Sequence, residues 1–292
     1  MKFGIIGNVQ KPGLAQAVSV LIANLEDAEM DYVVDEQILP LLHQQGTHLP
    51  PLRGARRNEC ASDVDMLVAF GGDGTILSAA RLVGSRGTPI LGVNLGKLGF
   101  LAELSSEDMH QEVGDIIKRQ YVIEERMVLV ATSPQISNRR FCGLNDIVLD
   151  KSSTSRVITL EVYINGAFAV TYRCDGLIIS TPTGSTAYAL SNGGPIVTPT
   201  STVIGITPIS PHTLSGRPFI LPDTSSIQVV AASGIDEILV SADGQEEAVI
   251  KPPLDVTIKK ADYCIKLVKR VGRSYFDVLR AKLLWGKDAT SI

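Results

Sequence analysis

One short stretch of the chain, GGDG at positions 71–74, joins glycines to a single carboxylate, Asp73. A buried strand is predicted to end at Gly71 and a helix to begin near Thr75. Glycines let a ligand approach the backbone closely, and the free N–H groups at a helix start favour an anion such as phosphate. Asp73 is therefore a candidate general base for phosphoryl transfer, or a candidate residue that positions a metal ion for it. The alternative is that Asp73 only caps the helix, because Asp is among the best N-cap residues.

A second stretch, TPTGSTAYALS at positions 181–191, is rich in small hydroxyl side chains. Six of the twelve residues from Ser180 to Ser191 are Ser or Thr. The preceding GLIIS predicts a strand, TPTGS a turn, and TAYALS a short helix whose first residues expose N–H and hydroxyl donors. Such a surface suits a ligand that is dense in ribose hydroxyls and phosphates. A Ser/Thr-rich turn with a purely structural role is the alternative interpretation.

Several other chemistries are disfavoured by what the 292-residue sequence lacks. Neither a G-x-x-x-x-G-K-[ST] P-loop nor the protein-kinase motif set occurs, which excludes those kinase classes. The four cysteines and four histidines have no metal-ligand spacing, so we expect no zinc site, no disulfide framework and no other metal site built by the protein alone.

The charge and hydropathy patterns narrow the range of partners. With a formal net charge of −4, the chain lacks the excess of basic residues that nucleic-acid-binding proteins use. The basic cluster RGARR at positions 53–57 is interpreted as a solvated loop. No window approaches the roughly 18 uninterrupted apolar residues of a membrane span. The amino terminus, MKFGIIGNV, lacks the apolar core and cleavage site of a secretory signal. We therefore predict a cytoplasmic protein that binds neither nucleic acid nor membranes.

Two kinds of architecture are predicted to position these motifs. Up to about Tyr121, strand-like runs such as DMLVAF and TPILGVN alternate with amphipathic runs such as LAQAVSVLIANLEDA, which predicts a parallel sheet covered by helices. After Tyr121, β-branched runs separated by Asn-Gly, Asp-Gly and Pro turns predict a mostly antiparallel β domain. Near the C-terminus, SYFDVLRAKLLWG predicts a helix that Ser274 caps and that has Phe276, Leu279 and Leu283 on one face.

Five motifs in sequence order together resemble the NAD kinase family, from the first strand to the last helix. They are GGDGT at 71–75, GVNLGKLGFLAEL at 92–104, LNDIVLD at 144–150, DGLIISTPTGSTAYALSNGGPIV at 175–197 and DGQ at 243–245. GGDGT also occurs in diacylglycerol-type lipid kinases and, in related form, in phosphofructokinases. NLGKLGFL together with TPTGSTAY points to the NAD kinases specifically.

The resemblance implies an enzyme that phosphorylates the 2′-hydroxyl of the adenosine ribose of NAD to give NADP. It implies ATP as the donor and a divalent cation, Mg²⁺, that arrives with the donor. Asp73 matches the family's catalytic aspartate. The implied substrate-binding residues are Asp73, Gly74, Asn145, Asp146, Arg156, Arg173, Asp175, Thr186, Ala187, Tyr188, Ala189, Leu190, Ser191 and Gln245. Arg156 and Arg173 would supply positive charge that the acidic surface lacks, and their alternative role is that of exposed strand cations.

Two positions depart from the family pattern. The family commonly has Glu where this chain has Asp146, and we expect the shorter carboxylate to reach the ribose through water or a small backbone shift. Ser78 stands where many relatives have an arginine. We therefore do not expect this chain to make the ligand contact that the arginine makes in those relatives.

Two alternatives to an NAD kinase stay open on the residues alone. A non-catalytic dinucleotide sensor would have the same binding residues, although Asp73 argues against it. A GGDG-type kinase of another hydroxyl substrate would share the first motif. A lipid kinase would need an apolar or membrane-facing site that no amphipathic basic segment offers, and a sugar-phosphate kinase is not expected to have TPTGSTAY.

The fold implied by the resemblance has an α/β domain over residues 1–121, a β-rich dinucleotide-binding domain over 122–270 and a helix over 271–292 that returns to the first domain. The ligand is expected in the cleft between the two domains. Family members are homo-oligomers, so a dimer or tetramer is expected, with some site residues contributed by a neighbouring subunit.

Overall fold

The computed structural model describes residues 1–44, 52–96, 99–136, 139–152, 156–213, 216–231 and 237–283. The chain divides into two units. Unit 1 comprises Met1–Glu125 and Ile265–Ile292, and unit 2 comprises Arg126–Cys264. The domain boundaries expected after residues 121 and 270 stay a prediction.

Unit 1 alternates short apolar strands with helices that bury one face. Its first strands are β1 (Lys2–Gly7), β2 (Asp31–Asp35), β3 (Gly54–Ala55), β4 (Met66–Gly71), β5 (Ile90–Asn94) and β6 (Leu104–Ser105). Its first helices are α1 (Leu14–Asp27), α2 (Leu39–Gln44), α3 (Asp73–Val83) and α4 (Met109–Ile117). In α1 the buried residues recur at helical spacing, as Leu14, Val18, Leu21 and Leu25 show, so the helix has one apolar face.

The strands of unit 1 described so far pair in parallel. Their order is β5-β4-β1-β2-β3, with β6 beside β5. Both β4 and β5 are buried along their full length, as expected of parallel strands that are covered on both faces. Parallel strands end at one edge, where Gly7, Asp35, Gly71 and Asn94 lie. Ligands of open α/β sheets bind outside this edge, so the sheet places GGDG where a ligand is expected.

The interpretation of positions 53–57 as a solvated loop is wrong for Arg57. Arg57 Nη1 donates to the carbonyl oxygen of Gly7 at 3.0 Å and to the carboxylate of Asp35 at 2.9 Å. Asp35 is fully buried, so its negative charge requires a partner, and Arg57 supplies one. The sequence pattern did not predict this contact, because Asp35 lies 22 residues before Arg57 and local patterns indicate contacts only between residues close in sequence.

Unit 2 consists mainly of β-strands, and some of them are joined by tight turns. Its strands are β7 (Tyr121–Thr132, which begins in unit 1), β8 (Phe141–Gly143), β9 (Asp146–Asp150), β10 (Ile158–Ile164), β11 (Ala167–Cys174), β12 (Gly176–Ser180), β13 (Val203–Ile209), β14 (Phe219–Pro222), β15 (Ile227–Ala231), β16 (Ile238–Ala242) and β17 (Glu246–Ile250). A 3-10 turn, Thr183–Thr186, and the short helix α5 (Tyr188–Ser191) follow β12. Asn165-Gly166 joins β10 to β11 as a two-residue turn in which both residues have positive φ, as this type of hairpin turn requires. Three residues, 243–245, join β16 to β17, and Asp243 and Gly244 have positive φ there.

The strands of unit 2 form two antiparallel arrangements over one core. One sheet has the order β14-β13-β12-β9-β16-β17. The other arrangement contains β11-β10-β15 and the long strand β18 (Leu254–Arg270), whose residues from 265 onward belong to unit 1. Apolar side chains from both, such as Leu149, Ile179, Val162 and Val229, form one buried cluster. The predicted combination of an α/β domain with a mostly antiparallel β domain is therefore confirmed.

The C-terminal part of the chain returns to unit 1, as predicted. β18 pairs in parallel with β5 at Leu267 and Ile90, and helix α6 (Tyr275–Leu283) follows. Across the described residues, no helix combines the length and the apolar character that crossing a bilayer requires.

Helix α6 begins with a reciprocal cap. Ser274 Oγ accepts from the N–H of Asp277 at 3.3 Å, which confirms the predicted cap, and Asp277 Oδ2 accepts from the N–H of Ser274 at 2.9 Å. Val278 and Leu279 are the buried residues of the helix, whereas Phe276 is exposed. Phe276 and Leu279 have the i, i+3 spacing that places residues on one face of a helix, but the covered part of this face is narrower than the sequence pattern indicates and leaves Phe276 exposed.

Candidate active site

Asp73 begins helix α3, directly after the carboxyl end of β4. The helix starts two residues before the predicted Thr75, and Gly72 takes the N-cap position with an extended backbone (φ −111°, ψ −169°). Because Gly72 is the N-cap residue and the Asp73 carboxylate accepts from the amides of Phe100 and Leu101, the interpretation of Asp73 as an N-cap is wrong. The residue is only partly buried.

Both oxygens of the Asp73 carboxylate accept hydrogen bonds from residues 99–103, which we call the GFLAE loop. The N–H of Phe100 donates to Oδ2 at 2.8 Å, and the N–H of Leu101 donates to Oδ1 at 3.0 Å. Gly99 is required for this approach, because a Cβ at that position would lie 1.9 Å from Oδ1. Each carboxylate oxygen has a further lone pair, so Asp73 is held in place and can still accept a proton or another hydrogen bond.

Unit 2 contains a groove of about 270 Å³ along β9, which we call the β9 groove. Four predicted ligand residues line it: Asn145, Asp146, Ala187 and Tyr188. Its other walls are Val148, Asp150, Leu239, Ser241, Asp243 and Gly244. The alternation of side chains along β9 and its neighbour β16 explains why every second residue of each strand contributes. The volume lies just below the range of about 300 to 1,000 Å³ typical of whole ligands, which suits one part of a dinucleotide.

The backbone of the turn before β9 is held by one carboxylate, that of Asp243. Its Oδ1 accepts from the N–H of Asn145 at 2.7 Å and from the N–H of Asp146 at 3.2 Å, and its Oδ2 accepts from the N–H of Leu144 at 2.9 Å. The N–H of Asp243 donates in return to the carbonyl of Asp146 at 3.1 Å. Asp243 therefore fixes the position of both predicted ribose ligands of the β9 groove.

Asp146 is a deeply buried carboxylate of the β9 groove, with 4% of its surface exposed. Burial, and to a lesser extent the negative charge of Asp243, raise the pKa of Asp146 to about 7. Within the part of the chain that the structure describes, no group donates a hydrogen bond to the Asp146 carboxylate. Its oxygens are thus left for the donors of a ligand. Burial also raises the pKa of Asp150 on the same strand.

The hydroxyls of the TPTGSTAY stretch act largely within the protein. Thr181 Oγ1 donates to the carbonyl of Leu144 at 2.6 Å, and Ser185 Oγ donates to the carbonyl of Pro182 at 2.7 Å. Thr186 Oγ1 donates to the carbonyl of Thr183 at 3.2 Å. These bonds shape the loop, as the structural interpretation of the stretch expected.

The end of this stretch turns toward the β9 groove. Ala187 and the half-exposed ring of Tyr188 line the groove. The close approach of the loop depends on Gly184, since a Cβ there would lie 2.0 Å from the carbonyl oxygen of Asn145. The side chain of Ala189 is buried instead, in a small apolar cluster that includes Ile178.

The remaining predicted ligand residues lie outside the lining of the β9 groove. Gly74 is exposed beside Asp73 in unit 1, and Arg173 is exposed on β11 in unit 2. Asp175 is half-buried and pairs with Lys151 Nζ at 2.8 Å. The others in unit 2 are Arg156, Thr186, Leu190, Ser191 and Gln245.

Several residues of these sites were not among the predicted ones. Asp243 lies in the DGQ motif without an assigned role, and the amides of Phe100 and Leu101 lie in GVNLGKLGFLAEL without one. For Asp243 the available signal was an Asp-Gly turn between two β-branched runs, which places a carboxylate at a strand end. For Asp150 the signal was the alternation from Asp146 along LNDIVLD.

The described residues contain no group of three or more His, Cys, Asp or Glu side chains arranged to hold a metal ion. Mg²⁺ in nucleotide-dependent enzymes is commonly held by one or two carboxylates together with substrate phosphates. Asp73 fits such a role, because its carboxylate is partly exposed at the ligand-binding edge of the sheet and retains lone pairs.

Comparisons with known proteins cover both units. Residues 3–121 match the family model described as ATP-NAD kinase N-terminal domain, and residues 144–270 match the one described as ATP-NAD kinase C-terminal domain. An NAD kinase of Bacteroides fragilis (strain ATCC 25285) is 40% identical over 291 residues, which is 99% of each chain.

Two solved structures align with nearly the whole chain. A crystal structure of yeast NADH kinase complexed with NADH has a TM-score of 0.88 and 26% identity, covering 99% of this chain and 89% of that chain. A crystal structure of an NAD kinase from Archaeoglobus fulgidus in complex with ATP has a TM-score of 0.75 and 23% identity, covering 96% of this chain and 98% of that chain. The second similarity concerns the fold alone.

Proposed function

The chain belongs to the NAD kinase family, and from this premise we propose how its residues phosphorylate NAD. The reaction transfers a phosphoryl group to NAD and yields NADP. ATP is the donor and the 2′-hydroxyl of the adenosine ribose is the acceptor. Unit 2 binds the dinucleotide through the β9 groove, and Asp73 of unit 1 acts on the reacting hydroxyl.

The chemical step exchanges one bond to phosphorus for another. The ribose oxygen forms a bond to the γ-phosphorus of ATP, the bond from phosphorus to the β,γ-bridging oxygen breaks, and ADP leaves. The proton of the hydroxyl goes to the carboxylate of Asp73, which acts as the general base. Proton removal of this kind is worth roughly 10²- to 10⁴-fold in rate, and positioning contributes further because the transition state is loose.

The surroundings of Asp73 support this assignment. The two amide hydrogen bonds from Phe100 and Leu101 keep the carboxylate in one orientation, and the free lone pairs are available to the hydroxyl. The neighbouring glycines leave room for the reacting groups. Mg²⁺ carried by the triphosphate would neutralise charge on the transferring phosphoryl group. Holding this cation is the alternative role of Asp73, because coordination to Mg²⁺ would lower the basicity of its carboxylate.

The β9 groove supports binding of a ribose. The carboxylate of Asp146 receives no hydrogen bond from the described residues, so the hydroxyls of a ribose supply the donors that it lacks. Asn145 lies beside it, and Asp243 fixes the backbone of both. The half-exposed ring of Tyr188 offers a stacking surface for a base.

The remaining contacts are assigned to an assembled enzyme. We include Gly74, Arg156, Arg173, Asp175, Thr186, Ala187, Ala189, Leu190, Ser191 and Gln245 in the proposed substrate site. Several of these residues do not line the β9 groove of a single chain. This supports a substrate site that another subunit of a homodimer or homotetramer completes. We place the enzyme in the cytoplasm, where NAD and ATP are available to it.

The matches to both family domains, over residues 3–121 and 144–270, carry the proposed activity. A coupled assay tests it. Protein, NAD, ATP and Mg²⁺ are mixed, and the product is read with an NADP-specific dehydrogenase. We expect NADP to form in proportion to the enzyme concentration. Absence of NADP with ATP and with other phosphoryl donors, including inorganic polyphosphate, would overturn the proposal.

Two further arms of the assay separate the alternatives. A non-catalytic dinucleotide sensor would bind NAD in calorimetry and form no product with any donor. Replacing NAD by NADH, with NADPH as the product measured, shows whether the reduced dinucleotide is also an acceptor. A kinase of another hydroxyl substrate would consume ATP only when that substrate replaces NAD.

A further inference from the structure

A buried carboxylate at the end of the GFLAE loop has its cationic partners in one short segment near the C-terminus. Glu103 is 2% exposed, and its Oε2 accepts from Lys269 Nζ at 2.9 Å. Its Oε1 accepts from the backbone N–H of Arg270 at 3.1 Å, and its carbonyl oxygen accepts from Arg273 Nη1 at 2.6 Å. The guanidinium groups of Arg270 and Arg273 also lie 3.7 and 3.9 Å from Oε1. We call Lys269, Arg270 and Arg273 the C-terminal cations.

The same loop carries the two amides that hold Asp73. Leu101, whose N–H donates to Asp73, is two residues from Glu103. Between them, Ala102 is 2% exposed, and its Cα would lie 3.1 Å from a Cβ placed on Gly92. The N–H of Glu103 donates to the carbonyl of Gly92 at 3.0 Å. A segment packed this closely transmits a displacement rather than absorbing it, so a shift at Glu103 reaches the amide of Leu101.

We propose that Glu103, held by the C-terminal cations, is a positioning residue for phosphoryl transfer: it fixes the GFLAE loop so that the loop's amides hold Asp73 in its reactive orientation. The inference rests on the proposed function, because it takes Asp73 as the group that acts on the hydroxyl. It also gives the return of the C-terminal segment to unit 1 a role in the reaction.

The physical character of the network fits positioning better than stability. Burying a carboxylate and an ammonium group costs desolvation free energy that their attraction offsets only in part, and apolar side chains would stabilise the fold as well. An ion network with defined distances, in contrast, selects one loop conformation. Arg270 Nη1 also pairs with Glu112 of α4, and Lys282 of α6 has its Nζ 5.9 Å from the ring centroid of Phe100. The GFLAE loop and its cations are thus in contact with α4 and α6, in addition to the hydrogen bond from Glu103 to Gly92 of β5.

Substitutions at Lys269 test the proposal without changing the loop itself. Lys269→Met removes the charge and keeps most of the aliphatic stem, and we expect kcat to fall by about 10- to 100-fold with the KM for NAD within about twofold, as displacement of a catalytic group predicts. Lys269→Arg restores the charge and should keep kcat within about threefold of the wild type. Arg280→Met removes an exposed cation of the same C-terminal part that pairs with Asp277, and it should leave both constants unchanged.

A double-mutant cycle separates positioning from general damage. Glu103→Gln in the wild-type background should lower kcat by about 10-fold or more, whereas in an Asp73→Asn background it should lower the residual kcat by less than about threefold, because the group it positions is already lost. Thermal unfolding of each full-length variant shows which of them are folded. Where Glu103→Gln does not fold, the two Lys269 variants decide.

The outcomes distinguish this proposal from the proposed function. If the wild type makes NADP and Asp73→Asn abolishes most turnover, but folded Lys269→Met and Glu103→Gln keep kcat within threefold, Glu103 is structural and only the positioning proposal is overturned. Fully additive losses in the cycle overturn it as well. If Asp73→Asn keeps its turnover, Asp73 is not the reacting base and the positioning proposal is overturned together with the role of Asp73.

Discussion

Asp73 in unit 1 and Asp146 in unit 2 are both aspartates near the end of a β-strand, yet their carboxylates have different surroundings. Asp73 is partly exposed, and each of its oxygens accepts a backbone amide hydrogen bond from the GFLAE loop. Asp146 is almost fully buried and accepts none from the described residues. Its pKa is raised to about 7 by burial and by Asp243. One carboxylate is therefore oriented by the protein before a ligand arrives, and the other has its acceptors open for a ligand.

Asp243 shows that unit 2 also contains a carboxylate held by amides, but there it serves the backbone. Three N–H groups of consecutive residues donate to it. The same type of side chain therefore has two different roles in this protein. Amide donors fix a carboxylate in place, whereas burial without donors leaves a carboxylate able to accept hydrogen bonds from hydroxyls. Substitutions in both units test this division of roles, and Asp243 is the residue whose replacement should change the protein most.

Replacing Asp243 should cost the most stability. Asp243→Asn keeps the shape but turns one oxygen into a donor that faces backbone N–H groups, so at least one amide loses its acceptor. We expect the free energy of unfolding to fall by about 3 kcal/mol, which is the upper part of the range for hydrogen bonds to a charged group. Chemical unfolding of the full chain measures the change. Asp255→Asn is the matched control, because among the described residues the Asp255 carboxylate accepts from the side chain of Gln228 alone and should lose less than about 1 kcal/mol. Equal losses in the two variants would refute the special role of Asp243.

Moving Asp73 without changing its charge should impair the reaction next most strongly. Gly99→Ala places a methyl group where Oδ1 lies, so the carboxylate must leave its two amides. We expect kcat to fall by about 100-fold with little change in the dissociation constant for NAD, because the binding groove is in unit 2. Gly96→Ala is the control, since a Cβ at Gly96 meets nothing within 4 Å. Unchanged turnover in Gly99→Ala would show that the orientation of Asp73 is not needed.

The burial of Asp146 should make stability depend on pH. Its folded-state pKa of about 7 lies above the value of 3.8 for a free carboxyl, so the folded chain binds more protons between these values. Stability from this group is therefore complete below about pH 4 and is lost as the pH rises through 7, by about 2 kcal/mol between pH 5 and pH 7. Asp146→Asn should remove this part of the pH dependence and be more stable than the wild type at pH 8. Chemical unfolding at pH 5, 7 and 8 gives the comparison, and parallel curves for the two proteins would contradict the assignment.

The ring of Tyr188 should contribute the smallest of these effects. Tyr188→Leu removes an aromatic surface that lines the β9 groove, and we expect the dissociation constant for NAD to rise about fivefold, or about 1 kcal/mol. Tyr188→Phe keeps the ring and should bind NAD as the wild type does. Calorimetric titration distinguishes the two, and equal weakening in both would assign the contribution to the hydroxyl group.

Much of the fold follows from local pattern. Buried residues at helical spacing predicted α1, continuous apolar runs predicted β4 and β5, and Asn-Gly and Asp-Gly pairs predicted the two hairpins of unit 2. Ser274 was correctly predicted to cap the last helix. These features depend on residues within a few positions of one another, which is why the sequence alone carries them.

The features that the sequence did not reveal depend on contacts between distant residues. Asp243 acts on a turn about a hundred positions earlier, Glu103 is bound by cations more than 160 positions later, and Arg57 reaches a buried aspartate on another strand. The spacing of residues in the sequence does not predict ionic or hydrogen-bonded pairs of this kind. The exposure of Phe276 has the same origin, since tertiary packing decides which side of α6 is covered.

The candidate site also combines residues that local motifs predicted with contacts that the motifs did not predict. Asp73, Asn145 and Asp146 were found through motifs, and the structure places the last two in one groove. The hydroxyl-rich stretch was interpreted as a ligand surface, but Thr181 and Ser185 donate to the backbone of their own unit. A motif therefore predicts which residues lie near one another, while the hydrogen-bond partner of each side chain depends on the three-dimensional surroundings.

The most direct test of the division between the two carboxylates compares Asp73→Asn with Asp146→Asn in one experiment. The dissociation constant for NAD is measured by calorimetry, and kcat is measured with saturating NAD, ATP and Mg²⁺. We predict that Asp73→Asn keeps NAD affinity within about twofold and loses at least about 100-fold in kcat. Asp146→Asn should weaken NAD binding by about 10-fold and keep kcat within about threefold. If both variants lose affinity and turnover to the same extent, or if Asp73→Asn retains its turnover, the two carboxylates do not have the separate roles assigned to them.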